Sequence, residues 1–247
     1  MAQVSGPSAS IVATNKRNGF TIAQSMPVHH TNPRNRQGPN DDEQNDGLDI
    51  GHHMLTLLLS NKLFLAPLNE SATRQVLDLG CGTGIWSIDY ADAHPDAEVT
   101  GIDLSPIQPA WTPPNCNFII DDVEDDWAFP ANHFDFVHIR CLMGSIKDWP
   151  GLYRQAYERT KPGGWIQHLD MSIMFTSDDG SVAGEHIMPR WSQTFIDCGE
   201  NIGKTFLITS RAGQLIREAG YEAVEEKWFK VPVGSWPKDK VCCPSFL

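Results

Sequence analysis

Residues 76–86 read VLDLGCGTGIW. An apolar run carries one acid, Asp78, and then glycines take positions 80, 82 and 84 before the chain turns apolar again. This order predicts a buried strand that turns sharply into a helix. Glycine has no Cβ, so Gly80, Gly82 and Gly84 permit a tight turn and let a ligand approach the backbone closely. The helix that follows offers unpaired N–H groups, which favour a carboxylate or a phosphate. A dinucleotide fingerprint, Gly-x-Gly-x-x-Gly, would need glycine at 85, where this chain has Ile85.

Alternation continues downstream. Strands are expected over 75–80, 98–104, 117–123, 134–141, 165–175 and 221–231. Helices are expected over 48–66, 85–94, 152–160, about 187–200 and 211–220, the last closed by Gly220. Strands alternating with helices predict an α/β chain with a doubly wound, mostly parallel sheet. Such sheets bind ligands at the carboxyl ends of their strands. Residues 1–40 are rich in Ser, Asn, Pro and Gln and are expected to be a disordered extension. Residues 41–247 then form the domain.

The ends of the second and third strands carry acids. Asp103 falls 19 residues after Gly84, where a carboxylate can accept hydrogen bonds from a ribose diol. Asp121, Asp122 and Val123 end the third strand, in position to flank an adenine ring. Three successive strands thus end near acids. Within the run DDVEDD, Glu124, Asp125 and Asp126 read as a solvated loop.

VLDLGCGTG and GIDLS (101–105) resemble the first two motifs of the class I S-adenosylmethionine (SAM) methyltransferases, whose fold is Rossmann-like. The resemblance implies that Gly80, Gly82 and Gly84 line the methionine end of SAM, with Asp78 beneath it. It implies that Asp103 holds the ribose, and that Asp122 and Val123 meet adenine, Asp121 less so. A narrower resemblance, over roughly 41–240, rests on DEQNDGLDIGHH, LSPIQPAWTPPN, FDFVHIRCLMGSIKDWPGLYRQAYERTKPGGWI and KVPVGSWPKDK. These look like the LaeA-like methyltransferases of fungal secondary metabolism, some of which work in velvet-protein complexes. Two departures accompany it. Gly47 stands where the family usually has Arg, before Leu48. After residue 240 relatives continue through a helix and a final antiparallel strand, whereas this chain reads VCCPSFL. The sheet is therefore expected to be truncated before its last strand, leaving the strand at 221–231 as an edge. Val241-Cys242 can be encoded by GTATGT, a common fungal intron start, so an unspliced intron or a gene-model error is expected here.

Residues 1–46 hold four basic and four acidic side chains, so the rest carries the whole net charge of −12. An acidic body repels phosphate backbones, which argues against direct nucleic-acid binding. No apolar run approaches a membrane span. The six cysteines form no Cys-x-x-Cys pair, which points to reduced thiols and no metal site.

A methyl sulfonium is already activated, so its transfer needs alignment more than a base. Candidate residues beyond the cofactor set are correspondingly few. Arg140, at the end of the fourth strand, is a candidate for an acidic substrate or a loop carboxylate. His168 shares a strand face with Asp170 and is a candidate general base, with a buried structural role as the alternative. His52 and His53 are expected to be structural histidines on the amphipathic helix, although the resemblance places this segment near the cofactor. The leading expectation is a SAM-dependent methyltransferase acting on a small metabolite in the cytoplasm. The alternatives are a nuclear regulatory subunit that binds velvet-type proteins, and a protein or histone methyltransferase.

Overall fold

The computed structural model describes residues 4–15, 41–182 and 186–233. In chain order these form β1 (Val4–Thr14), α1 (Asp42–Leu58), β2 (Gln75–Leu79), α2 (Ile85–Ala93), β3 (Glu98–Asp103) and β4 (Cys116–Ile120). Then follow β5 (Phe134–Arg140), α3 (Trp149–Arg159), β6 (Thr160–Met171), β7 (Thr176–Ser177), α4 (Ile187–Ile202), α5 (Ala212–Ala219) and β8 (Glu222–Val233). The sheet order is β4-β3-β2-β5-β6-β1-β7, with β8 paired to β1. Every pairing from β4 through β6 is parallel.

Alternate side chains along each parallel strand feed two cores, as the two-residue strand period requires. Leu77, Leu79, Val137, Ile139 and Ile166 pack with Trp149, Leu152, Tyr153 and Ile216 from α3 and α5. Val76, Val99 and Phe136 pack on the opposite face with Trp86 and Tyr90 of α2 and with Phe64 and Leu65 of the preceding loop. The expected doubly wound sheet is therefore present.

Several boundaries move for local reasons. Helix α1 begins earlier than expected because Asp41 caps it, accepting the Gln44 N–H at 2.9 Å. It stops at Leu58, since Ser60 and Asn61 take left-handed conformations, φ 60° and 62°. β4 ends at Ile120, so Asp121–Val123 form the loop beyond it. β6 starts at Thr160, ahead of the strand expected from 165, and takes in Pro162-Gly163-Gly164.

The largest difference lies at the start of the chain. Residues 4–14, expected to be disordered, form β1, antiparallel to β6 from Ser8–Met171 to Thr14–Trp165. Its other edge pairs with β8 from Val4–Val233 to Thr14–Glu222. β8, expected to be an edge strand, pairs among the described residues with β1 alone and so stands at an edge. Burial is the physical reason for β1: Ile11 and Ala13 enter one core and Val12 the other. Asn15 then anchors the turn-off, its amide donating to the carbonyls of Tyr157 and Thr160 at 3.2 and 2.7 Å. The rest of the expected disordered segment, residues 1–3 and 16–40, and the VCCPSFL segment lie outside the described residues.

Candidate functional site

The carboxyl ends of β2, β3, β4 and β5 open on one cleft of about 730 Å³, its mouth included. Gly80, Asp103, Asp122 and Val123 line it, joined by Leu104, Ser105, Leu142 and Ile146. Four of the seven expected cofactor residues therefore meet on one surface.

The glycine loop is tightly built. Gly80, Gly82 and Gly84 all have positive φ, at 69°, 57° and 80°. An L side chain is strained there, and at 80 and 84 there is no room for one. A Cβ on Gly80 would lie 2.4 Å from Leu142 Cδ2, and one on Gly84 2.3 Å from Phe118 Cζ. Gly84 also caps α2. Asp103 fastens the loop from the neighbouring strand: Oδ2 accepts the Gly82 N–H and Oδ1 the Ser105 N–H, each at 2.8 Å. Burial raises the Asp103 carboxyl above its ordinary range, while these N–H bonds pull the other way. Each of its oxygens keeps a lone pair for a further donor.

Asp78 lies below this surface rather than on it. Its side chain is buried, accepting the Ser87 hydroxyl at 2.7 Å on one oxygen and facing His138 Nδ1 at 2.8 Å on the other. The His138 ring stacks on Trp86 at 3.6 Å. Burial lowers the His138 pKa, so the ring is neutral and Nδ1–H donates to Asp78. Asp78 ties β2, β5 and the start of α2 together beneath the glycine turn.

Arg140 and His168 do not line the cleft. Arg140 donates from one guanidinium nitrogen to His52 Nδ1 on α1 at 3.0 Å, and His52 Nε2 meets Asp89 of α2 at 3.0 Å. An acceptor Nδ1 requires neutral His52, and burial and the Arg140 charge both lower its pKa. His168 is sealed in the core: Nδ1 meets the Tyr153 hydroxyl at 2.8 Å and Nε2 the Asp170 carboxylate at 3.3 Å. Asp170 in turn accepts the N–H groups of Leu142 and Met143 at 3.0 and 2.8 Å, fixing the loop after β5.

Five contributors escaped the sequence reading. Asp49 on α1 accepts the Thr83 hydroxyl at 2.6 Å, so α1 lies over the glycine loop. Asp49, His52 and Thr56 share one helix face, a spacing of three and four that could have exposed this. Gln108 holds the loop from the other side, donating to the carbonyls of Gly82 and Ser105 at 2.7 and 2.9 Å. Glu124, read as solvated, accepts the N–H groups of Lys147 and Asp148 at 2.8 and 2.9 Å and so joins two cleft walls. Lys147 and Lys204 line the remaining rim. Among the described residues no helix is long and apolar enough to cross a membrane, and no group of three or more His, Cys, Asp or Glu could hold a metal.

Comparison with known proteins places this geometry. A family model described as a methyltransferase domain matches residues 35–228. The methyltransferase pytC of Aspergillus terreus is 44% identical over 202 residues, covering 81% of this chain and 62% of that protein. The secondary metabolism regulator LAE1 of Cochliobolus heterostrophus is 35% identical, covering 81% and 67%. The secondary metabolism regulator laeA of Aspergillus fumigatus is 33% identical over 244 residues, covering 94% and 64%. The chain thus spans about two thirds of the length of these curated relatives. With its glycine turn, its acid-ended strands and these matches, the chain belongs to the methyltransferase domain family, alongside its LaeA-like fungal members.

Proposed function

We propose that this chain, through residues 41–247, is a SAM-dependent methyltransferase of fungal secondary metabolism whose acceptor is a small molecule. The observation that carries the reading is the cleft shared by Gly80, Asp103, Asp122 and Val123. Its donor set fits SAM: an acid at mid-cleft with lone pairs for ribose hydroxyls, and a loop in which two glycines admit no side chain.

When bound, SAM supplies an activated methyl: its carbon–sulfur bond breaks as the bond to the acceptor forms, the electron pair stays on sulfur as a neutral thioether, and any acceptor proton leaves to water. The chain's own residues bind and orient. Asp103 holds the ribose while its bonds to Gly82 and Ser105 keep the turn in register. Asp122 and Val123 flank the base, and Asp78 supports Gly80, Gly82 and Gly84 from beneath. Helix α1, pinned by Asp49–Thr83 and His52–Arg140, covers the loop and excludes water. His168 is committed to Tyr153 and Asp170, so alignment rather than a side-chain base is this chain's contribution.

Calorimetry with SAM tests this. Wild type binds, and Asp103→Ala loses at least about tenfold in affinity, as expected when a pair of hydrogen bonds to a buried acid is removed. A folded wild type indifferent to SAM sinks the reading.

A second reading takes its cue from the names of the LAE1 and laeA relatives: a regulatory subunit. It would act in the nucleus with velvet-type proteins, the first in the cytoplasm. Pull-down from a fungal nuclear extract separates them: recovery of a velvet protein supports the second, and its absence beside turnover of a small acceptor supports the first.

A further inference from the structure

The two halves of α1 are held differently. In the second, Met54, Leu55 and Leu58 cluster with Leu169 of β6 and Phe229 of β8. In the first, residues 42–51, no side chain is fully buried. This half meets the glycine loop at two places: Asp49 accepts the Thr83 hydroxyl at 2.6 Å, and Leu48 Cδ1 lies 3.6 Å from where a Gly82 Cβ would stand. Gly82 passes the contact on, donating its N–H to Asp103 Oδ2 at 2.8 Å, and Asp103 lines the cleft. Asn45 Oδ1, on the turn before Asp49, is shielded from water and has no hydrogen-bond partner among the described residues, which disfavours the seated position. So few contacts leave a helix half that lifts unless something else holds it.

His52 stands where the halves join, and it is 5% exposed. Its Nδ1 accepts from the Arg140 guanidinium of β5 at 3.0 Å, and its Nε2–H donates to Asp89 of α2 at 3.0 Å. One ring thus ties α1 to a strand that ends at the cleft and to the helix that the glycine loop starts. Only the neutral imidazole can do both. Once protonated, Nδ1 has no lone pair to offer and two cations face each other. The charged groups facing the ring are Arg140 from β5, Asp89 from α2 and Asp49 from its own helix. Burial and then Arg140 lower the His52 pKa, while Asp89 and Asp49 raise it. The ring is therefore neutral, and the tie made, at neutral pH; the tie is lost as the pH falls.

We propose that His52 is a positioning residue for the cofactor: its neutral ring latches the first half of α1 onto the glycine loop and, through Gly82, keeps Asp103 set for the ribose. The inference rests on the methyltransferase reading and adds to it a lid under the control of one proton. Arg140 then serves the latch rather than an acidic substrate. Cofactor binding favours the latched state, so the cofactor and a proton on His52 compete, each weakening the other by the same factor.

The test is titration calorimetry of the full chain with S-adenosylhomocysteine, from pH 7.5 down to 5.5. Wild type is expected to lose about threefold or more in affinity over that range. His52→Asn keeps an acceptor for Arg140 but takes up no proton, so its affinity stays level. Arg140→Met removes the donor and weakens binding already at pH 7.5. Hydrogen exchange on the unliganded chain, corrected for intrinsic rates, is read alongside. In wild type, residues 46–51 lose protection at pH 5.5 while Leu77 and Val137 keep theirs; in His52→Asn, residues 46–51 keep theirs too. Level affinity in a wild type that binds S-adenosylhomocysteine overturns the latch alone. An equal slope in His52→Asn also overturns it and assigns the dependence to Asp103, whose carboxyl burial raises. Protection lost together in α1, β2 and β5 makes His52 merely structural and overturns it likewise. No affinity for S-adenosylhomocysteine at any pH removes the methyltransferase reading and the latch with it.

Discussion

Strands β2, β3, β4 and β5 pair in parallel, lie close together in sequence, and end at the cleft. Strands β1 and β8 pair antiparallel, come from opposite ends of the described chain, and contribute no residue to the cleft. β5 is buried over most of its length, while β8 is largely exposed and, among the described residues, has β1 as its one strand neighbour. The contrast separates two tasks. The parallel half arranges chemistry from short-range connections, and the antiparallel half closes the sheet through long-range pairing. β1 joins them, because it also pairs with β6 and places Ile11 and Val12 in the two cores.

Removing β1 should have the largest effect. Ile11→Asp buries an unpaired carboxylate and should cost about 3–5 kcal/mol, read by denaturant unfolding. Deleting residues 4–15 should expose the amides of β8 to hydrogen exchange while Leu77, Val99 and Val137 stay protected. If those positions exchange equally fast, the halves are one cooperative unit and the contrast fails. Next in size is Trp86→Ala, which removes the ring stacked on His138 and the bond from Trp86 Nε1 to the Leu63 carbonyl. About 3–5 kcal/mol of stability should go, at the low end if the cavity collapses, with β1–β8 pairing the last to report it.

Gly84→Ala probes the parallel half more finely. A positive φ costs about 1–2 kcal/mol and the approach to Phe118 adds about 1–3 kcal/mol. SAM affinity should fall with stability here, whereas Ile11→Asp at a permissive temperature should leave the affinity of the remaining folded fraction unchanged. The smallest effect is on pH dependence. His52 and His138 both have lowered pKa values in the folded chain, burial being the main cause. The unfolded chain therefore takes up protons first, near the ordinary value of about 6.5. Stability is complete above that pH and declines as the pH falls below it. In His52→Gln the melting temperature should depend less on pH between about 5 and 6.5, and an unchanged slope would place the effect on His138 and His133, whose pKa burial also lowers.

The sequence made the parallel half legible because its signals are local. Glycines at alternate positions, acids at strand ends and two-residue alternation all follow from chain neighbours, and the helix boundaries moved only where a cap such as Asp41 or left-handed residues such as Ser60 and Asn61 intervened. β1 was illegible for the opposite reason. VSGPSASIVAT holds Gly, Pro and three serines, a poor strand composition. Its place in the sheet is imposed by partners more than 150 residues away, whose contact no local pattern encodes. Pro7 is tolerated because pairing with β6 begins only at Ser8, leaving one edge undemanding there. In the site, Asp103 and Asp122 were visible as strand-end acids. The tie between Asp78 and His138 was not, since it depends on the register of β2 against β5. The Arg140–His52–Asp89 chain was hidden likewise, because it needs the pose of α1.

The position of β1 bears on how this protein comes off the ribosome. Its partners, residues 165–171 and 222–233, are translated long after it. Until they emerge, Ile11 and Val12 have no docking place, and the nascent chain carries an unpaired, strand-forming leader past a half-built nucleotide-type core. Closure of the sheet is thus a late event of high contact order, open to capture by chaperones or by a neighbouring nascent chain.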